Sequence, residues 1–239
     1  MTIRYSRYSH TSEFSYCFGI YPIIDLLEKK SECAREIILS SKAEQGEGIS
    51  KLLELAKNAK IPVSYSNAQI DRLTTNESVL AVGIFAKYNS ELTHANNHLV
   101  LVNPSDMGNV GSIIRTSLGF SVKDVAIIRP GVDIFDPRVV RSSMGAIFSM
   151  NIGYFDSFED YIFSNDKNRT YYLFMTDGEV SLKKIEKVSP FSLIFGNEGE
   201  GLDPSYRKYG KTVYIPQNKE IDSLNLAMSV GIGLYEFTL

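Results

Sequence analysis

The chain alternates between two hydrophobic periods. In "YPIIDLLEKK" (21–30), Ile23, Ile24, Leu26 and Leu27 recur at helical spacing, and in "GISKLLELAKNAK" (48–60) Ile49, Leu52, Leu53 and Ala56 do the same. Such stripes predict amphipathic helices that bury one face. The short apolar runs "AREIILSS" (34–41), "IPVSYS" (61–66) and "LAVGIFAKY" (80–88) predict strands, with a short helix at "NAQIDRLT" (67–74). Together these make an alternating α/β module. Polar, turn-rich "NSELTHANN" (89–97) follows it and reads as a linker.

Beyond the linker the alternation is plainer. Near-continuous apolar runs predict strands at 98–103, 124–129, 170–176, 191–196 and 211–216, and helices are predicted at 110–118, 137–142, 158–164, 204–209 and 223–237. Apolar strands separated by helices imply a parallel sheet covered on both faces. Ligands of such sheets bind at the carboxyl ends of the strands. The loops leaving Asn103, Thr176, Gly196 and Ile215 are therefore where chemistry is expected. The expected division is 1–92 and 93–239.

Composition narrows the picture only slightly. At 239 residues, 44% hydrophobic and 22% charged, the chain suits one large or two modest domains. A net charge of −3, with neither part basic overall, excludes a strongly basic nucleic-acid binder; RNA contact must come from a local patch. Cys17 and Cys33 form no CxxC, so a disulfide framework is not expected. No N-terminal stretch reads as a signal peptide, and Leu224–Phe237 is too short to span a bilayer. A cytoplasmic setting is expected. The opening residues read as a solvated arm, with Arg4, Arg7, Tyr5 and Tyr8 offering the alternative of RNA contact by charge and stacking. His94 and His98 stand four apart but lack a third ligand, so no metal site is expected.

Three loops carry candidate chemistry. "DMGNVGSIIRTS" (106–117) places Gly108 and Gly111 at a helix start, where free N–H groups attract anions, and puts Arg115 further along that helix. It is neither GxGxxG with an acidic partner nor GxxxxGK[ST], so a nucleoside triphosphate site is not indicated. "LIFGNEGEGLD" (193–203) holds three glycines and two glutamates after an apolar strand. In "IPQNKEIDSLNLA" (215–227), Ser223 is positioned to cap the last helix, Asp222 suits its positive end, and Asn225 sits inside the first turn, where Asn is a poor helix former.

Together these loops resemble the three motifs of the SpoU/TrmH family of SPOUT RNA 2′-O-ribose methyltransferases. The first motif's Asn, Gly and Arg match Asn109, Gly111 and Arg115. The second, Gly-x-Glu-x-x-Gly-Leu, matches Gly196, Glu198, Gly201 and Leu202, and the third, Ile-Pro then Ser-Leu-Asn, matches Ile215, Pro216, Ser223, Leu224 and Asn225. "RSSMGAIF" (141–148) resembles the segment between motifs, and 1–92 resembles the small L30e-like substrate-binding module. The third motif departs from the family's pattern: Gln217 and Lys219 stand where Met and Gly are usual.

The resemblance implies an α/β fold: a SPOUT-type parallel sheet with helices on both faces and a deep trefoil knot, preceded by a small L30e-like α/β domain. It implies a homodimer through the knot region and S-adenosylmethionine held around Thr176, Gly196, Ile215 and Leu224. Methyl transfer would go to a ribose 2′-hydroxyl of RNA, ribosomal RNA ahead of tRNA, with Arg115, Asn109, Glu198, Ser223 and Asn225 as catalytic residues. A non-catalytic RNA-binding protein that kept the fold is the alternative of a different class. A guanidinium stays protonated at neutral pH, so Arg115 is read as a phosphate grip and charge stabiliser rather than a base.

Overall fold

The computed structural model describes residues 5–43, 46–76, 78–165, 168–218 and 220–239; Arg4 and Lys219 lie outside them. Chain contacts divide it into two units, Met1–Tyr88 with Asp133–Ser149, and Asn89–Val132 with Met150–Leu239. The first unit opens with β1 (Phe14–Phe18), α1 (Ile20–Lys29), β2 (Ala34–Leu39), α2 (Glu47–Asn58), β3 (Val63–Tyr65), α3 (Asn67–Leu73) and β4 (Ala81–Ala86). The chain then builds β5 (His98–Val102), α4 (Met107–Gly119) and β6 (Asp124–Ile128) of the second unit. It returns to the first unit for α5 (Pro137–Ser142), and completes the second with β7 (Asn151–Phe155), α6 (Phe158–Phe163), β8 (Thr170–Phe174), β9 (Val180–Ser181), β10 (Phe191–Phe195), β11 (Lys211–Tyr214) and α7 (Leu226–Thr238).

The first unit is a four-stranded mixed sheet in the order β1-β4-β2-β3, with β1–β4 and β4–β2 antiparallel and β2–β3 parallel. The helical stripes read from sequence are its core: Ile23, Leu26, Leu52 and Ala56 are fully buried. β1 was not expected as a strand. Its aromatic-rich FSYCF pairs with β4 from Val82 to Ala86, and Cys17 lies against Gly83, where a Cβ would come within 2.7 Å of the Cys17 sulfur. Burial pushes the Cys17 thiol up to about 12, which leaves it inert.

The arm before β1 is not solvated along its length. Tyr5 packs edge-on against Phe14, the Tyr8 hydroxyl bonds Asp133, and Lys87 sits over the Tyr8 ring while donating to Asp133 at 2.9 Å. Both rings that the alternative reading offered for stacking on RNA are thus engaged within the unit. Segment 133–149, which the expected division assigned to the second domain, clusters with the first unit because α5 packs on β1 and the 3₁₀ helix at Ala146–Ser149 packs on α1.

The second unit is a seven-stranded sheet in the order β7-β6-β5-β10-β8-β11-β9, every pair parallel. Its centre is as buried as the sequence implied: β6 and β10 are buried at all five positions, Asp124 and Ser192 included. The short strands β7 and β9 were not expected; both lie at sheet edges, where fewer side chains are buried. The 204–209 helix forms as a 3₁₀ helix, Pro204–Tyr209. His94 and His98 do not share a helix face. His98 opens β5, fully buried, with Nδ1 2.8 Å from the Tyr161 hydroxyl and Nε2 3.0 Å from the Thr93 carbonyl.

Candidate active site

The carboxyl ends of β8, β10 and β11 surround a cavity of about 290 Å³, close to the lower end of the ~300–1,000 Å³ usual for small-molecule sites. Thr176, Gly196, Ile215 and Leu224 all line it, and so do Glu198 and Ser223. The sequence did not single out Phe174, Leu226 or Ser229, which line it too.

The second loop is shaped by its glycines. Asn197 and Gly201 exchange two backbone hydrogen bonds, 3.2 and 2.9 Å, closing the loop on itself. Gly201 takes φ +71°, the left-handed region that glycine tolerates. At Gly196 an added Cβ would lie 2.1 Å from the Gly201 carbonyl carbon, so no other residue fits. Asn197 extends its amide to the Asn103 carbonyl at 2.8 Å, tying this loop to the end of β5.

The first loop differs from expectation in detail. α4 begins at Met107, so Gly108, Asn109 and Gly111 lie in its first turns rather than before it. One of its first N–H groups is already engaged: Asp106 is the N-cap, and its carboxylate accepts from the Asn109 amide at 2.6 Å. Glu198 takes over the adjoining donors. Its Oε2 accepts from the Ser105 amide at 3.1 Å and hydroxyl at 2.8 Å, and its Oε1 from the Asp106 amide at 3.1 Å. Partial burial pushes the Glu198 carboxyl upward, but these hydrogen bonds outweigh it and hold its pKa below the ordinary value. Ser105 and Asp106 are the residues sequence reading passed over; an Asp directly before an apolar helix was the signal available.

The third loop also corrects a reading. α7 starts at Leu226 and its N-cap is Asn225, not Ser223. Asn225 has extended geometry (φ −54°, ψ 141°), and its Oδ1 accepts from the amides of Ala227 at 2.9 Å and Met228 at 3.4 Å. A residue poorly suited to a helix interior is well suited to its cap.

That cap leaves the Asn225 Nδ2 free to donate to Asn109 Oδ1 at 3.1 Å, and Asn109 Nδ2 donates in turn to Glu198 Oε1 at 3.4 Å. One side chain from each loop thus joins a single hydrogen-bonded chain, Asn225–Asn109–Glu198, and Glu198 is also part of the cavity wall. Arg115 does not join it. Six residues beyond Asn109, it lies about 9 Å along and about 120° around the helix. It is exposed, and among the described residues it makes no hydrogen bond or ion pair. Ser223 is exposed at the cavity edge. Among the described residues no group of three or more His, Cys, Asp or Glu is placed to hold a metal, and no helix is long and apolar enough to cross a membrane.

Residues 96–235 match the profile of the SpoU rRNA Methylase family. The chain belongs to that family. It is 26% identical over 197 residues, 78% of this chain and 73% of the other, to a 23S rRNA (adenosine(1067)-2′-O)-methyltransferase of Streptomyces azureus. It is 27% identical over 220 residues, 86% of this chain and 71% of the other, to a 23S rRNA (uridine(2479)-2′-O)-methyltransferase of Streptomyces viridochromogenes. Its fold matches that of an AdoMet-bound rRNA methyltransferase from Sinorhizobium meliloti with a TM-score of 0.80, at 22% identity over 94% of this chain and 86% of that one.

Proposed function

We propose that this member of the SpoU family is an S-adenosylmethionine-dependent methyltransferase acting on a ribose 2′-hydroxyl of RNA, ribosomal RNA rather than tRNA. The observation that carries the reading is Glu198, shared between the cavity wall and the hydrogen-bonded chain through Asn109 to Asn225. A site for a small cosubstrate and a set of polar side chains from all three loops therefore meet at one residue.

The cavity suits S-adenosylmethionine. Backbone polar groups at its glycine-rich rim stand close because Gly196 has no Cβ, while Ile215, Leu224 and Leu226 supply apolar wall. Thr176, Gly196, Ile215 and Leu224 are the residues that would hold it. When bound it supplies an electrophilic methyl group; the protein supplies alignment and charge control. Asn109, Glu198, Ser223 and Asn225 hold the target ribose in register. Arg115, exposed and without a partner among the described residues, grips an RNA phosphate and stabilises the negative charge developing on the 2′-oxygen.

The rest of the reading follows the same family. Residues 1–92 act as an L30e-like module that binds RNA substrate, and 93–239, apart from the 133–149 excursion, as the methyltransferase domain. The mixed β1-β4-β2-β3 sheet with its helices supports the first part. A trefoil knot in the second is supported by the insertion of late strand β10 between β5 and β8. A homodimer through this region is supported by Met228, Ile232 and Tyr235, an exposed apolar stripe at helical spacing along α7 that Leu239 continues just past its end. The setting is cytoplasmic.

Alkaline digestion tests the reaction type. A 2′-O-methyl group blocks cleavage of the adjoining phosphodiester, so labelled methyl transferred to ribose ends in alkali-resistant dinucleotides. Label recovered in mononucleotides would mean base methylation and would overturn the proposal.

A further inference from the structure

Gln217 stands where the family pattern has Met. It lines the cavity, and its Nε2 donates across the loop to the Asp222 carbonyl at 3.3 Å. Asp222 lines the cavity as well, followed directly by Ser223 and Leu224, which also do. The hydrogen bond therefore joins the two limbs of the 217–222 loop at the point where both face the cavity. Asn218 Oδ1 accepts from the Glu220 amide at 3.1 Å, a second polar contact beside that of Gln217. A Met at this position has no donor for the Asp222 carbonyl.

We infer that Gln217 is a positioning residue for the cosubstrate: its carboxamide fixes the Asp222–Leu224 limb as a wall of the cavity and so sets cosubstrate affinity. The inference rests on the reading of this cavity as the S-adenosylmethionine site. The limb it holds carries Leu224 into the cavity and leads to the Asn225 cap, so the clasp acts on binding geometry without touching reacting atoms. An acceptor in its place would set oxygen against oxygen at Asp222 and open the limb further than simple removal does.

The test is calorimetric binding of S-adenosylhomocysteine to the full chain and to its Gln217→Met, Gln217→Ala and Gln217→Glu variants, with thermal melts of each. The expected result is affinity weakened about fivefold in Gln217→Met and Gln217→Ala and more than tenfold in Gln217→Glu. Melting should be unchanged, KM for S-adenosylmethionine raised, and kcat at saturation kept. Wild-type affinity in all the variants would overturn the clasp, as would loss of kcat with affinity unchanged. Failure of the unaltered chain to bind S-adenosylhomocysteine would instead refute the assignment of the cavity, a distinguishable outcome.

Discussion

Asn225 donates a hydrogen bond to Asn109 across 116 positions of sequence, 3.1 Å from Nδ2 to Oδ1. The same Asn225 caps α7 with its Oδ1. The two ends of one carboxamide thus do separate jobs, and a substitution can separate them. Asn225→Asp keeps an acceptor for the Ala227 and Met228 amides but has no donor for Asn109. It is expected to leave Tm nearly unchanged and lower kcat/KM for methyl transfer about tenfold or more. Asn225→Ala loses the cap as well and is expected to cost a further ~1 kcal/mol of stability. Thermal melts beside kinetics of both variants check this.

Glu198 holds the first and second loops together as an anion. Its folded pKa lies below the ordinary carboxyl value of about 4.3. The contribution is therefore complete at neutral pH and is lost as pH falls through that lower folded value. Activity should not titrate with Glu198 between pH 6 and 8. Glu198→Gln places an amide against the Ser105 and Asp106 donors and is expected to destabilise by about 1–2 kcal/mol and reduce activity at every pH. A carboxyl resonance titrating near neutrality would contradict the geometry.

Gly196 and Gly199 lie three residues apart and should respond oppositely. A Cβ at Gly196 would overlap the Gly201 backbone at 2.1 Å, whereas at Gly199 the nearest atom is the Asn197 side-chain oxygen at 3.4 Å. Gly196→Ala is expected to cost about 3 kcal/mol or more and to abolish cosubstrate binding. Gly199→Ala should stay within about 1 kcal/mol of the parent. Urea denaturation of the two variants provides the comparison.

Much of this architecture was legible in the sequence, for physical reasons. β5, β6 and β10 are buried on both faces and therefore read as near-continuous apolar runs, broken only by buried His98, Asp124 and Ser192, while α1 and α2 bury one stripe and read at helical period. β7 and β9 escaped because edge strands bury fewer side chains, and β1 because its Ser- and Tyr-rich surroundings masked a paired aromatic strand. At the site, the motif residues could be named in order, but not their partners. Asn225 as a cap, Asp106 filling the start of α4, and Glu198 bridging to Ser105 are contacts between distant segments, which local periodicity does not encode.

His98 gives the fold a pH dependence of its own. Burial first, then the nearby Arg169 charge, push its imidazole down to about 4. A neutral ring suits its neighbours, donating from Nε2 to the Thr93 carbonyl and accepting at Nδ1 from the Tyr161 hydroxyl. The unfolded chain binds the proton near pH 6.5, so stability is complete above that pH and declines as pH falls toward 4. The loss should be on the order of 3 kcal/mol. Denaturant unfolding between pH 7.5 and 4 measures it; a flat profile would contradict a buried neutral ring.

Arg115 separates charge stabilisation from proton abstraction. Lysine keeps the positive charge but not the planar fork. Arg115→Lys is therefore expected to retain measurable activity at neutral pH, about a tenth or less of the parent. Complete loss with RNA and cosubstrate binding intact would count against simple charge stabilisation.

The most direct test is transfer of labelled methyl from S-adenosylmethionine to separated rRNA and tRNA fractions lacking the native modification, with Arg115→Ala alongside. The account predicts label in the rRNA fraction as a 2′-O-methyl nucleotide, lost in the variant. Label confined to tRNA would contradict the substrate, and no transfer to either fraction, with cosubstrate binding demonstrated and assembled ribosomal particles also tested, would contradict the enzyme.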